Sequence, residues 1–263
     1  MPVWSLLAAE HRDRVRLYAS GGSSVFSPAE VGADARLARE QGYAAFKMRV
    51  GYQERGEDLR RVAAAREQLT GADLMLDAIM GSLDPPWQAA TAIERSREFA
   101  QFSPAWLEEP VHPLDFAGLA EVHAASPVPI AAGEALCGEF EFDRYFETPP
   151  VDYLQPDATH SGGMSATLDI VSRAKQRDMK VALHVWGGGI AVAANAHLAI
   201  ASAAVEILEM PMMHLEVTPD MLRVPLDIRD GHLYAPQEPG LGVVLTEDTK
   251  RRYQHVPGSG YRI

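Results

Sequence analysis

The stretch Ala105-Trp106-Leu107-Glu108-Glu109-Pro110 is a short apolar run that ends in two adjacent carboxylates and a proline. A run of this length, closed by a residue that cannot donate to a sheet ladder, is expected to be a buried strand. One of the two acids then stands at the C-terminal mouth of that strand. Other apolar runs end in the same way: Leu74-Met75-Leu76-Asp77, Ile130-Ala131-Ala132-Gly133-Glu134, Asp152-Tyr153-Leu154-Gln155-Pro156-Asp157, Val181-Ala182-Leu183-His184 and Glu206-Ile207-Leu208-Glu209. With Lys47 in the run Tyr43 to Val50, the marked residues 47, 77, 108, 134, 157, 184 and 209 are spaced by 30, 31, 26, 23, 27 and 25. That is one βα unit per step.

Helix signals fill the intervals. Ser27-Pro28-Ala29-Glu30 offers an N-cap, a proline at the first helical position and an acid in the first turn, opening a helix that ends near Gly42. Arg14 to Ser20 alternates like a first strand and stops at Gly21-Gly22, and Met164 to Arg177 reads as a helix behind Gly162-Gly163. Strands alternating with helices imply a parallel sheet, and eight such units close into a barrel. The expected fold is therefore α/β, a (β/α)8 TIM-type barrel over residues 14–210. A short lead-in, 1–13, precedes it, and a strand-and-loop extension, 211–263, is expected to pack on the barrel.

The chain of 263 residues carries a formal net charge of -12, which argues against a nucleic-acid or anionic-membrane surface. A single cysteine, Cys137, excludes an internal disulfide and a multi-cysteine metal site, and suits a reducing compartment. With no basic-then-apolar signal pattern at the start, a cytoplasmic location is expected. Gly187 to Val205 is nearly all apolar, yet it contains Asn195 and His197 and barely reaches spanning length, so it reads as a buried helix.

Asp77, Glu108 and Glu134 end three consecutive strands. Carboxylates gathered in this way repel one another and cannot all stay ionised, whereas a divalent cation removes the conflict; all-oxygen ligation favours Mg²⁺. His184 and Asp157 end neighbouring strands, and a carboxylate beside an imidazole fixes its tautomer and raises its basicity, making a candidate general base. Lys47 and Arg49, two apart on one strand, share a face and could hold a substrate carboxylate or an enolate oxygen. The other histidines, among them His197, His214 and His255, are expected to be structural.

In order along the chain, Lys47-x-Arg49, Asp77, Glu108-Glu109-Pro110, Gly133-Glu134, Pro156-Asp157 with Gly162-Gly163, His184 and Glu209 resemble the barrel domain of the enolase superfamily, mandelate racemase subgroup. The resemblance runs from about Arg14 to about Leu245. It implies that Asp77, Glu108 and Glu134 ligate Mg²⁺, that the His184–Asp157 dyad is the base on one face, that Lys47 stabilises the enediolate and that a protonated Glu209 hydrogen-bonds to it. By the same resemblance Glu108 rather than Glu109 is the inward acid, which leaves Glu109 as a polar residue facing the helices or a salt-bridge partner there. The implied common step is removal of the proton α to a carboxylate.

The family's strand-two motif often reads Lys-x-Lys, with the second lysine a base on the opposite face; Arg49 is a poor base. The expected reaction is accordingly one-base dehydration of an acid sugar, an aldonate or aldarate, to a 2-keto-3-deoxy acid. A racemase or epimerase of a 2-hydroxy acid is the enzymatic alternative, and a truncated barrel that binds metal without turnover is the non-enzymatic one. Ile79 stands where relatives usually have a polar residue, often Asn. Relatives also carry an α+β capping domain ahead of the barrel, most of which is missing before Arg14, so low activity of this chain alone is expected. The partners implied are a small carboxylate substrate and, from the apolar seventh-unit helix, further copies of the chain in a homo-oligomer.

Overall fold

A computed structural model of the chain describes residues 1–8, 11–148, 150–212, 217–254 and 256–257. In chain order the elements are α1 (Trp4–Leu7), β1 (Arg14–Gly21), α2 (Pro28–Glu40), β2 (Ala45–Arg49), α3 (Arg55–Gln68), β3 (Asp73–Asp77), α4 (Ala89–Phe99) and β4 (Leu107–Glu108). They continue as α5 (Phe116–Ala125), β5 (Ile130–Ala132), α6 (Gly138–Glu147), β6 (Tyr153–Leu154), α7 (Met164–Lys175), β7 (Lys180–Leu183), α8 (Gly189–Ala201) and β8 (Val205–Pro211). The extension adds α9 (Val217–Met221), β9 (Ile228–Arg229), β10 (His232–Tyr234) and α10 (Glu247–Arg252). The Ser27 cap forms as its sequence implies: its backbone N–H donates to the Glu30 carboxylate at 2.7 Å, and its Oγ accepts from the Glu30 N–H at 3.4 Å.

Strands β1 to β8 pair in parallel in sequence order, and β1 closes the ring by pairing with both β8 and β2. The result is the expected (β/α)8 barrel.

Inward residues from alternate strands stack in layers. Ala45, Trp106, Tyr153 and Ile207 come from β2, β4, β6 and β8, and Tyr18, Met75, Ala131 and Ala182 from the odd strands; together they form an apolar plug. Because the side-chain period of a strand is 2, the next inward residues of the even strands are Lys47, Glu108, Gln155 and Glu209, all buried. The same step on odd strands reaches Ser20, Asp77, Gly133 and His184. An apolar floor under a polar mouth thus follows from advancing two residues along every strand.

Helix α8 is buried along nearly its whole length because the lead-in and the extension cover it. The Trp4 backbone N–H donates to Nδ1 of His197, and the Arg12 guanidinium donates to the carbonyls of Ala199, Ser202 and Val205 at and just beyond the helix C-terminus. The carbonyls of Ala199 and Ser202 are ones a helix end leaves without internal partners, and that of Val205 opens β8. No helix among the described residues is long and apolar enough to cross a membrane. In the extension, β10 pairs antiparallel with the first half of β1, and β9 folds back on β10. The apolar run Gly242-Val243-Val244-Leu245 forms no strand; Val243 makes one isolated bridge to Leu222.

Candidate active site

Lys47 stands at the centre of the polar layer. Its Nζ lies 2.6 Å from Glu108 Oε1, 3.0 Å from Glu209 Oε1 and 3.7 Å from Asp77 Oδ2, and the side chain is buried. Burial by itself would lower the pKa of this ammonium, but Glu108 and Glu209 more than reverse that and hold it well above the usual lysine range. Lys47 is therefore a fixed positive charge. Glu209 is held at about 2, because the charges of Lys47 and His184 outweigh the cost of its burial. Glu209, which the resemblance implies as a protonated partner of the enediolate, lies 3.0 Å from Lys47 and 3.7 Å from His184, and both favour its carboxylate form.

Asp77, Glu108 and Glu134 each offer an oxygen, and these oxygens lie within 4.8 Å of one another. Burial and the neighbouring acids push Asp77 up to about 6 and Glu134 up to about 7, and Glu108 is also raised. A single ammonium cannot neutralise so many acids; the donor set is all oxygen, and it could hold a hard divalent cation. Local backbone chemistry aims each ligand. The Ile79 N–H donates to Asp77 Oδ1 at 2.9 Å, with Ile79 in left-handed conformation at φ 43°. Strict alternation beyond Ala131 would turn Glu134 outward. Gly133, at φ 130°, breaks that alternation, and a Cβ there would lie 3.2 Å from the Gln155 nitrogen.

His184 Nδ1 lies 2.9 Å from Asp157 Oδ2, so the ionised acid fixes the proton on Nδ1 and turns Nε2 toward the mouth. Nε2 lies 3.3 Å from Glu134 and 3.7 Å from Glu209. Burial opposes the charged imidazole, yet Glu134, Glu209 and the Asp157 hydrogen bond together push His184 up to about 10. Asp157 is itself kept at about 2, against the effect of burial, by His184, the Thr159 N–H and Asn195. Asn195 was not foreseen as part of this dyad: its Nδ2 donates to Asp157 Oδ1 at 2.9 Å and its Oδ1 accepts from the Ala158 N–H at 3.0 Å. The available signal was a lone amide in an otherwise apolar helix.

The enolase C-terminal domain-like family model matches residues 30–249. The chain belongs to the enolase superfamily. L-talarate/galactarate dehydratase of Salmonella typhimurium is 34% identical over 253 residues, which cover 95% of this chain and 60% of that protein. The crystal structure of 3,6-anhydro-D-galactonate cycloisomerase from Zobellia galactanivorans superposes with a TM-score of 0.86 at 29% identity, over 96% of this chain and 69% of that one. A mutant of L-talarate/galactarate dehydratase, liganded with Mg and L-glucarate, superposes with a TM-score of 0.83 at 33% identity, over 95% of this chain and 60% of that one. The chain thus spans 60% of the length of the dehydratase it matches.

In this superfamily barrel Arg49 stands apart from Lys47. Its guanidinium lies 4.5 Å from the ring centre of Trp186, and with Ser20, Gly22 and Ile79 it lines a 760 Å³ cavity at the mouth. No ion pair to Arg49 is found among the described residues, so it presents positive charge to that cavity. Glu109 is buried rather than solvated, at φ 39°, and Oε1 has no hydrogen-bond partner. Burial and then Glu134, Asp77 and Glu108 raise its pKa well above the usual range. It is not among the three acids whose oxygens gather, and of its two expected roles the salt bridge is absent among the described residues. His197 is structural, as expected, while His214 and His255 lie outside the described residues. Trp106 and Gln155, also unforeseen, both donate to Glu108 Oε2.

Proposed function

We propose that this chain is the catalytic barrel of an acid-sugar dehydratase. The observation that carries the reading is the His184–Asp157 pair at 2.9 Å, with Nε2 turned to the gathered acids Asp77, Glu108 and Glu134 and 3.3 Å from Glu134. Those three residues would hold Mg²⁺, which when bound supplies positive charge to the oxygens of a substrate carboxylate and so makes the α-proton acidic.

His184 Nε2 removes that proton, and the electron pair of the broken C–H bond moves into the carboxylate. For this the imidazole must be neutral. Glu134, 3.3 Å from Nε2, is the nearest counter-charge to it, and were that carboxylate to hold Mg²⁺ its pull on the imidazolium would weaken. Lys47, a permanent cation, meets the negative charge that develops on oxygen, and Glu209 anchors Lys47 from the other side. The imidazolium of His184 then gives its proton to the β-hydroxyl, the C–O bond breaks and water departs. The enol left behind ketonises to a 2-keto-3-deoxy acid. Asn195 and Thr159 keep Asp157 ionised through the cycle.

Racemisation would need a second base opposite His184, and Arg49 is unsuited to that role. The resemblance to the cycloisomerase favours a second reading in which the same first step is followed by cleavage of a ring C–O bond instead of loss of a hydroxyl. Incubating the protein with Mg²⁺ and a panel of aldonic and aldaric acids, with 2-keto acid as the readout, tests the proposal. Formation of a keto acid with release of water supports dehydration. Turnover of only the anhydro or lactone forms supports the cycloisomerase reading, and absence of product with intact metal binding supports a non-catalytic barrel.

A further inference from the structure

Glu108 is the most constrained of the three acids, and its constraints are unequal on its two oxygens. Oε2 accepts from the indole Nε1 of Trp106 at 3.0 Å and from the Gln155 Nε2 at 2.7 Å. Oε1 meets the Lys47 ammonium at 2.6 Å. The Oε2 donors are neutral and immobile. Trp106 is buried, packs edge-on against Tyr18 and tilted against Tyr153, and its N–H can only donate. Gln155 is fully buried, and its own N–H is tied to the Ala132 carbonyl at 3.0 Å. Turning the amide over would set oxygen against carboxylate oxygen. Lys47, by contrast, has Glu209 at 3.0 Å as a second anchor and can leave Oε1.

Resting on the reading of Asp77, Glu108 and Glu134 as a metal site, we infer that Trp106 and Gln155 act as a selectivity lock. They occupy Oε2, so Glu108 can offer a cation only Oε1. Mg²⁺ is satisfied by single carboxylate oxygens and a strict octahedron, whereas Ca²⁺ takes more oxygens, often both from one carboxylate. Holding one oxygen back therefore disfavours Ca²⁺. It also spares Mg²⁺ binding the entropy of fixing the Glu108 side chain. Both are positioning residues that act through Glu108.

The test is calorimetric titration of the metal-free protein with Mg²⁺ and, separately, with Ca²⁺, for the wild type, Gln155→Met and Trp106→Phe. Gln155→Met conserves volume and removes both amide donors. The outer partners of metal ligands are typically worth 10–100-fold in affinity, so Mg²⁺ binding is expected to weaken by about that factor in Gln155→Met. Ca²⁺ binding, which gains access to the second oxygen, is expected to weaken by no more than roughly threefold or to tighten. Trp106→Phe is expected to move the ratio in the same direction. Its core packing makes it the less secure variant, and Gln155→Met keeps the test independent of it. Equal weakening for both ions, or unchanged Mg²⁺ affinity in a variant with native near-ultraviolet circular dichroism, would overturn the lock. A wild type that binds neither ion would overturn the metal reading and the lock together, which separates that failure from a failure of the lock alone.

Discussion

Replacing Arg61 should unravel one side of the barrel mouth. Arg61 is on α3 and fully buried, and its guanidinium donates to the carbonyls of Phe26 at 2.8 Å, Arg49 at 3.0 Å and Ser23 at 2.7 Å, and to Asp58 Oδ1 at 3.0 Å. Asp58 Oδ2 in turn accepts from Arg95 at 3.0 Å and from the Gly51 N–H at 2.8 Å. One planar fork thus ties the β1–α2 loop, the end of β2 and α3 together, an arrangement an arginine can span and a lysine cannot. Breaking a buried ion pair by removing one partner costs about 3–5 kcal/mol, chiefly from the groups left without partners. Arg95 remains to pair with Asp58, so we expect a loss near the middle of that range, about 4 kcal/mol, for Arg61→Met. Arg61→Lys keeps the charge but reaches fewer acceptors, and about 2 kcal/mol is expected. Urea unfolding at neutral pH is the assay: with a slope of about 3 kcal/mol/M, the midpoint should fall by roughly 1.3 M for Met and half that for Lys. A loss below about 1 kcal/mol for Arg61→Met, or wild-type stability for Arg61→Lys, would refute the argument that these carbonyls depend on one guanidinium.

His184→Ala should abolish keto-acid formation while leaving Mg²⁺ affinity nearly unchanged; loss of metal binding instead would assign the residue to the ligand set. Glu108→Gln should weaken Mg²⁺ binding far more than Glu109→Gln, measured by titration, since Glu109 is a buried acid already favoured in its neutral form. Gly133→Ala forces a side chain into φ 130° and is expected to cost roughly 1–3 kcal/mol and to reduce Mg²⁺ affinity by turning Glu134 away from the mouth. The pH dependence follows from raised folded-state values: Asp77 at about 6 and Glu134 at about 7 contribute stability that is complete below their unfolded values and is lost as pH rises through the folded ones. His184, raised to about 10, loses its contribution above its unfolded value in the same direction. Thermal unfolding of the metal-free protein should therefore occur at lower temperature at pH 8 than at pH 5, with Mg²⁺ reducing the difference; a rise toward pH 8 without metal would contradict it.

The barrel itself was legible in the chain because its signals are local. An apolar run closed by Asp77, Glu108, Glu134, Asp157, His184 or Glu209 is set by a few adjacent residues, and the spacing between them is set by one strand and one helix. Parity along a strand is equally local and put Lys47 and Arg49 on one face, whereas the choice of Glu108 over Glu109 as the inward acid came from the family resemblance and not from the run itself. What the sequence could not supply was the pairing of side chains from different strands. Gln155 meets Glu108 only because β4 and β6 contribute to the same layer, and Asn195 meets Asp157 only because α8 brings it against the loop that follows β6.

The charge states belong to the tertiary structure as well. Glu209, implied as a protonated group, comes to rest between Lys47 and His184, which favour its carboxylate form. Glu109, expected as a polar residue facing the helices or a salt-bridge partner there, is buried with one oxygen unpartnered. Sequence by itself determined which strand ends carry ionisable groups, since that depends on a few adjacent residues, while the turn at Gly133 that brings Glu134 inward is a property of the folded backbone. Only the folded barrel decided which of them share a proton, a hydrogen bond or a counter-charge, since burial and distances of a few ångströms between separate strands set those energies.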